Sequence, residues 1–169
     1  MLNRITILAS VAVVMAVTSA NAQSTTKVVQ KFRDWVLYSH NGSSANICFL
    51  STWPKKKNPA GYNRGRSYFY ISAWPKDGVK AEVSIKLAKQ LRDGSSVSIR
   101  IGGERYSLFT KDNEAFVSDP TRELKLINSM KRGSRMFVRA TTADGTEIED
   151  EYSLSGVTAG VNKMTVHCS

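Results

Sequence analysis

The chain is poor in the residues on which most cofactor chemistry depends. Its 169 residues include two cysteines, two histidines and four prolines. Two Cys and two His cannot build a zinc ribbon, a ferredoxin cluster or a multi-haem site. No glycine-rich cofactor fingerprint is present either, so no cofactor is expected. The length is too small for a TIM barrel and for most two-domain enzymes. Acidic side chains are scarce: 14 Asp and Glu stand against 24 Lys and Arg, a formal net charge of +10. Hydrophobic residues make up 41%, too many for a disordered chain.

Long apolar runs are missing apart from one at the start. Residues 1–22 read MLNRITILASVAVVMAVTSANA. Arg4 supplies a positive start, residues 5–17 are apolar, and Ala20-Asn21-Ala22 is an A-x-A cleavage signal. A spanning helix needs about 20 apolar residues, and Thr18, Ser19 and Asn21 cut this run short. The expectation is therefore a signal peptide over 1–22, a flexible polar leader over 23–31 and a single domain over 32–169. The mature protein would be periplasmic or secreted, with no membrane anchor after cleavage. In an oxidising compartment Cys48 and Cys168 form a disulfide by default, and only one intramolecular pairing exists. An intermolecular bond or a free thiol is the alternative. Closing so long a loop is worth roughly 5 kcal/mol in the chain-entropy model.

Period-2 alternation dominates the rest. Ser67–Trp74 sets Phe69, Ile71 and Ala73 against Tyr68, Tyr70 and Trp74. Ala81–Leu87 and Ser95–Ile101 alternate in the same way. Gly102-Gly103 reads as a two-residue hairpin turn. Residues 134–142 and 146–154 pair across Ala143-Asp144-Gly145, and Lys163–Cys168 reads as a last strand. This density of short strands predicts an all-β, antiparallel, jelly-roll-like β-sandwich. Its expected core includes Trp35, Phe49, Ile71, Val83, Ile99 and Val138. One helix is predicted over 120–132. Asp119 can cap it, Pro120 suits its first position, and Leu124, Ile127 and Met130 recur along it before Gly133. Residues 86–92 admit a short helical turn, undecided by pattern.

Catalytic constellations are weak. There is no G-x-S-x-G, and neither His40, beside a turn, nor His167 has a triad context. The one dense acidic run is residues 144–151. On a strand it would place Glu147, Glu149 and Glu151 on a solvated face, where Arg135 and Arg139 of the preceding strand could answer them. The basic excess says more. Residues 55–105 hold twelve Lys and Arg against four acids. Within the irregular stretch 51–66, Trp53 and Tyr62 are interleaved with Lys55, Lys56, Lys57, Arg64 and Arg66. Cations beside aromatics on an exposed loop make a binding surface for an anionic lipid or polysaccharide of the envelope or a host surface. Export argues against nucleic acid as the physiological partner. The same charge on a merely solvated loop would serve solubility.

The order of these landmarks resembles the invasion-associated locus B family of exported bacterial proteins. The resemblance rests on Phe32-Arg33-Asp34-Trp35, on Ile47-Cys48-Phe49-Leu50 and on the Val97–Gly103 hairpin. The Leu124–Arg132 helix and Tyr152–Gly160 complete it. It covers most of residues 32–161. It implies a small secreted or periplasmic β-sandwich, linked in some pathogens to host-cell invasion, with no enzyme activity and no catalytic residues. The chain departs from the family in lacking a Cys near Ser39–His40 and a Cys pair within Thr110–Phe116. A rewired Cys48–Cys168 bond follows from those departures. The expected function is a non-enzymatic binding or host-interaction module. An envelope enzyme or enzyme inhibitor is the alternative.

Overall fold

The computed structural model describes residues 24–42 and 46–168; the expected signal peptide lies outside them. Eleven strands among the described residues form one antiparallel sheet. They are β1 (Thr25–Phe32), β2 (Trp35–Asn41), β3 (Asn46–Thr52), β4 (Lys56–Asn58), β5 (Tyr68–Trp74) and β6 (Val79–Lys86). Then come β7 (Ser96–Ile101), β8 (Glu104–Lys111), β9 (Glu114–Phe116), β10 (Arg135–Thr141) and β11 (Glu147–Ser153). Helix α1 (Pro120–Arg132) leads into β10, and α2 (Val157–His167) follows β11.

The spatial order is β1-β2-β3-β5-β6-β9-β8-β7-β10-β11-β4. The sheet folds over on itself, as an all-β, sandwich-like architecture requires. The Trp35 indole N–H of β2 donates to the Ser153 carbonyl of β11 at 3.0 Å. This joins strands eight steps apart in the sheet order. Trp35, Phe69 and Tyr152 stack edge to face across the fold, at 5.9 Å for both ring pairs. All three are fully buried, and such side chains each contribute roughly 1.5–3 kcal/mol by leaving water.

Trp35, Ile71, Val83, Ile99 and Val138 lie in this core as expected. Phe49 does not. Strand alternation turns Cys48 and Leu50 inward, so Phe49 faces outward, half-buried, stacked on Tyr38 at 5.0 Å.

Helix α1 spans the predicted residues. The Asp119 carboxylate accepts from the Arg122 amide at 2.9 Å, which satisfies one orphan N–H of the first turn. Its buried face is Leu126, Ile127 and Met130, while Leu124 is exposed. Residues 86–92 form no helix; β6 ends at Lys86 and Leu91 bridges to Thr142.

Two expectations are corrected at the termini of the domain. The leader expected over 23–31 is largely β1, paired along β2 from Thr25↔Asn41 to Phe32↔Trp35. Its side chains are polar because an edge strand is wetted, not because it lacks partners. The end of the chain is helix rather than strand. Val157, Val161 and Met164 recur at helical spacing and are buried, so the period over 157–164 is 3.6 and not 2. Gly156 opens α2 with φ +100, and a Cβ there would run into the Phe32 carbonyl. Cys48 and Cys168 are bonded, with Cα atoms 6.1 Å apart. The bond ties the end of α2 to β3.

Candidate functional site

The stretch 51–66 is not a plain loop. Thr52 ends β3, and Lys56–Asn58 add β4 as an edge strand on β11, in the register Glu151↔Lys56 and Glu149↔Asn58. The Lys55 amide donates to the Glu151 carbonyl at 2.7 Å. Prolines at 54 and 59 bracket this short strand without removing any of its ladder donors.

This anchoring sorts the predicted residues into three groups. The first is a corner around Trp53, whose ring is partly exposed. The Lys55 ammonium lies 5.5 Å from the ring centroid and the Arg66 guanidinium 5.3 Å. Both distances are within reach of a cation–π attraction. Lys55 also pairs with Asp34 at 2.6 Å. That ammonium, with help from Ser153, holds the Asp34 carboxyl below the usual carboxylate range.

The second group is centred on Tyr62. Its hydroxyl donates to Asp144 at 2.5 Å, and the Lys89 ammonium sits 5.8 Å from its ring. Asp144 further accepts from the Thr142 hydroxyl at 2.5 Å and the Thr146 amide at 3.0 Å. These donors, Thr142 foremost, hold its carboxyl far below the ordinary range. Tyr62 therefore joins the loop to the β10–β11 turn.

The third group is structural. Arg64, expected at the binding surface, is buried with its side chain 1% exposed. Its guanidinium forms a two-pronged pair with Asp150, at 2.9 and 2.5 Å. Asp150 points inward on β11 beside Ile148 and Tyr152. The inward-facing acid draws the arginine under the loop, because a buried carboxylate is stable only when paired. Burial, together with the Asp150 charge, pushes the neighbouring Tyr152 phenol well above its usual value.

The loop's charge is therefore smaller than its sequence suggests. Lys55, Lys56 and Arg64 each face an acid, Lys56 through Glu151 at 3.6 Å. Lys57 donates to the Gly65 carbonyl at 2.8 Å. Arg66 and Lys57 remain as cations without a salt bridge among the described residues. The structure brings Trp53, Lys55 and Arg66 together, places Lys56 and Lys57 along the adjacent edge, and removes Arg64. Lys89 and Asp34 were not legible as members of this surface. Only the strand pairing carries them there.

Outside the loop, Arg139 and Arg135 answer the acidic face of β11 as expected. Arg139 pairs with Glu149 at 2.9 Å and Arg135 with Glu151 at 3.6 Å. The histidines stand apart: His40 is hydrogen-bonded to Thr26 at 2.7 Å, and His167 ends α2.

The class defined so far is an antiparallel sandwich-like domain, closed by a terminal helix and a disulfide, with a cation–aromatic corner at one sheet edge. Comparison with known proteins narrows it. The sequence model of the family described as "Invasion associated locus B (IalB) protein" matches residues 35–165. The chain belongs to that family. A solved structure titled as invasion associated protein B from Bartonella henselae is similar in fold, with a TM-score of 0.59 and 11% identity. The match covers 82% of this chain and 96% of that one. No curated protein matches.

Proposed function

We propose that this protein is exported with residues 1–22 as a cleaved leader. It then acts, in the periplasm or outside the cell, as a non-enzymatic module that adheres to an anionic lipid surface. The observation that carries this reading is the Trp53 corner: an exposed indole flanked by Lys55 and Arg66. Tryptophan favours the lipid headgroup level because one side of its ring is apolar and its N–H is polar. Cations near an anionic surface add about 1 kcal/mol each. The A-x-A signal at 20–22 and the bonded cysteines support export. Family membership supports a setting at the envelope or against a host surface.

The test is retention on vesicles containing phosphatidylglycerol across a salt series. The wild-type protein binds at low salt and is released as screening increases. The variant W53A/R66S should lose most retention, and K57S should lower it modestly. Equal binding by W53A/R66S and wild type overturns the reading. A polysaccharide ligand is indicated instead if acidic glycan beads retain the protein and vesicles do not.

A further inference from the structure

A second cationic feature is lined by none of the residues of the Trp53 corner. The tip of the β7–β8 hairpin, Ile101–Glu104, faces the last turn of α1 and the start of β10. An open cleft of about 560 Å³ lies between them. That volume falls within the range of small-ligand sites. Three arginines from three elements line it: Arg100 on β7, Arg132 in the last turn of α1, and Arg135 at the start of β10.

Each has a local reason to be there. Strand alternation buries Val97, Ile99 and Ile101 and turns Arg100 to the other face. The Phe137↔Arg100 pairing then lays the Arg100 guanidinium over the Phe137 ring at 4.1 Å. Gly133, between α1 and β10, lets the other two approach. A Cβ at 133 would lie 2.6 Å from Ile101 and 2.9 Å from Leu154. Only a residue without a side chain allows the helix to end against the hairpin, which sets Arg132 and Arg135 on the rim.

The acids present do not match this charge. Glu104 is the one carboxylate lining the cleft. It is engaged by the hydroxyls of Ser129 and of Tyr106, the latter at 3.0 Å. It reaches Arg132 only at 3.6 Å. Arg135 shares Glu151 with Lys56, both at 3.6 Å. Arg100 makes no salt bridge among the described residues; its partner is an aromatic face, which leaves its N–H edge free.

We propose that this cleft is a binding site for a phosphate monoester. Three arginines drawn from different elements line this one cleft, and together they offer the donors and positive charge that the three oxygens and double charge of such a group call for. Arginine is suited to that recognition by its planar donor geometry. The phosphate is carried by a soluble phosphosugar or by a lipid headgroup, and the experiment separates the two.

The probes are glucose 6-phosphate, followed by titration calorimetry at low salt, and vesicles containing phosphatidic acid. Glucose serves as the reference for the first and neutral phosphatidylcholine vesicles for the second. Binding of either phosphate probe over its reference is expected. Glucose 6-phosphate alone identifies a soluble ester; vesicles alone identify a headgroup only where W53A/R66S is retained on them and R100Q is not. R100Q and R135Q should each weaken binding about tenfold or more, as expected for lost charge-assisted hydrogen bonds. G103D provides a check that leaves all three arginines in place. No atom lies within 4 Å of a Cβ at 103, so an added carboxylate there should abolish binding by charge alone. Glucose 6-phosphate binding should survive W53A/R66S, which separates this site from the Trp53 corner. Absence of binding to both probes, or binding unchanged in R100Q and G103D, overturns the proposal.

Discussion

Arg64 and Asp150 show how little a residue's type says about its task. Arg64 sits among six other loop residues of cationic or aromatic character, yet it is the one the fold buries. Both side chains are 1% exposed. Their mutual attraction offsets a desolvation cost of several kcal/mol per ion, and removing one partner leaves the other uncompensated. R64M should therefore destabilise the protein by about 3–5 kcal/mol, whereas R64M/D150L should recover most of that loss. Chemical denaturation of the two variants checks this. A surface role for Arg64 would instead leave R64M as stable as wild type. The exposed Lys55–Asp34 pair belongs to another class; solvent screening limits such pairs to about 1 kcal/mol or less.

At the scale of elements, the β10–β11 hairpin carries a titration signature. Its turn is organised by Asp144, which accepts from Thr142, Tyr62 and Thr146. Because those bonds favour the ionised form, the folded pKa lies below the unfolded value near 3.8. A depressed carboxylate stabilises the fold above its unfolded pKa, and that contribution withdraws as pH falls toward the folded one. Asp34 and Glu104 are shifted in the same direction, by Lys55 and by Ser129 respectively. Stability should thus decline below about pH 4. D144N should be less stable at neutral pH and should show a shallower decline in acid. Circular dichroism of both proteins between pH 2 and 6 tests this, and parallel curves would refute it. Helix α1 was legible to its end residues because the cap, the proline and the final basic pair are local signals. Its face was legible in part: Ile127 and Met130 are buried as their spacing predicts, but Leu124 is exposed and Leu126 buried instead, which was settled only where the helix meets β6, whose Val83 amide donates to Glu123 at 2.5 Å.

For the molecule as a whole, the disulfide is the longest constraint. It links residues 120 positions apart and holds α2 against the sheet through β3. Fixing so long a loop removes entropy from the unfolded chain worth up to roughly 5 kcal/mol. Reduction should lower the denaturation midpoint accordingly, and C48A/C168A should match the reduced wild type. A midpoint unaffected by reductant would show that burial alone secures α2. The two cationic sites are also a whole-molecule product. Arg100, Phe137, Glu151 and Lys56 come from four strands and lie in adjacent registers.

The sequence by itself determined the longer internal strands, α1 and the outward acids of β11, and it limited the two cysteines to a single intramolecular pairing. Each depends on periodicity, on a cap or on a count, all of which are local or exhaustive. Only the tertiary structure decided that Arg64 goes inside, that Phe49 faces out, that residues 25–32 join the sheet and that the chain ends as a helix. The same holds for the one cleft that three arginines and Gly133 line together. Those outcomes depend on which surfaces meet, and neighbours distant in sequence leave no trace in a local pattern.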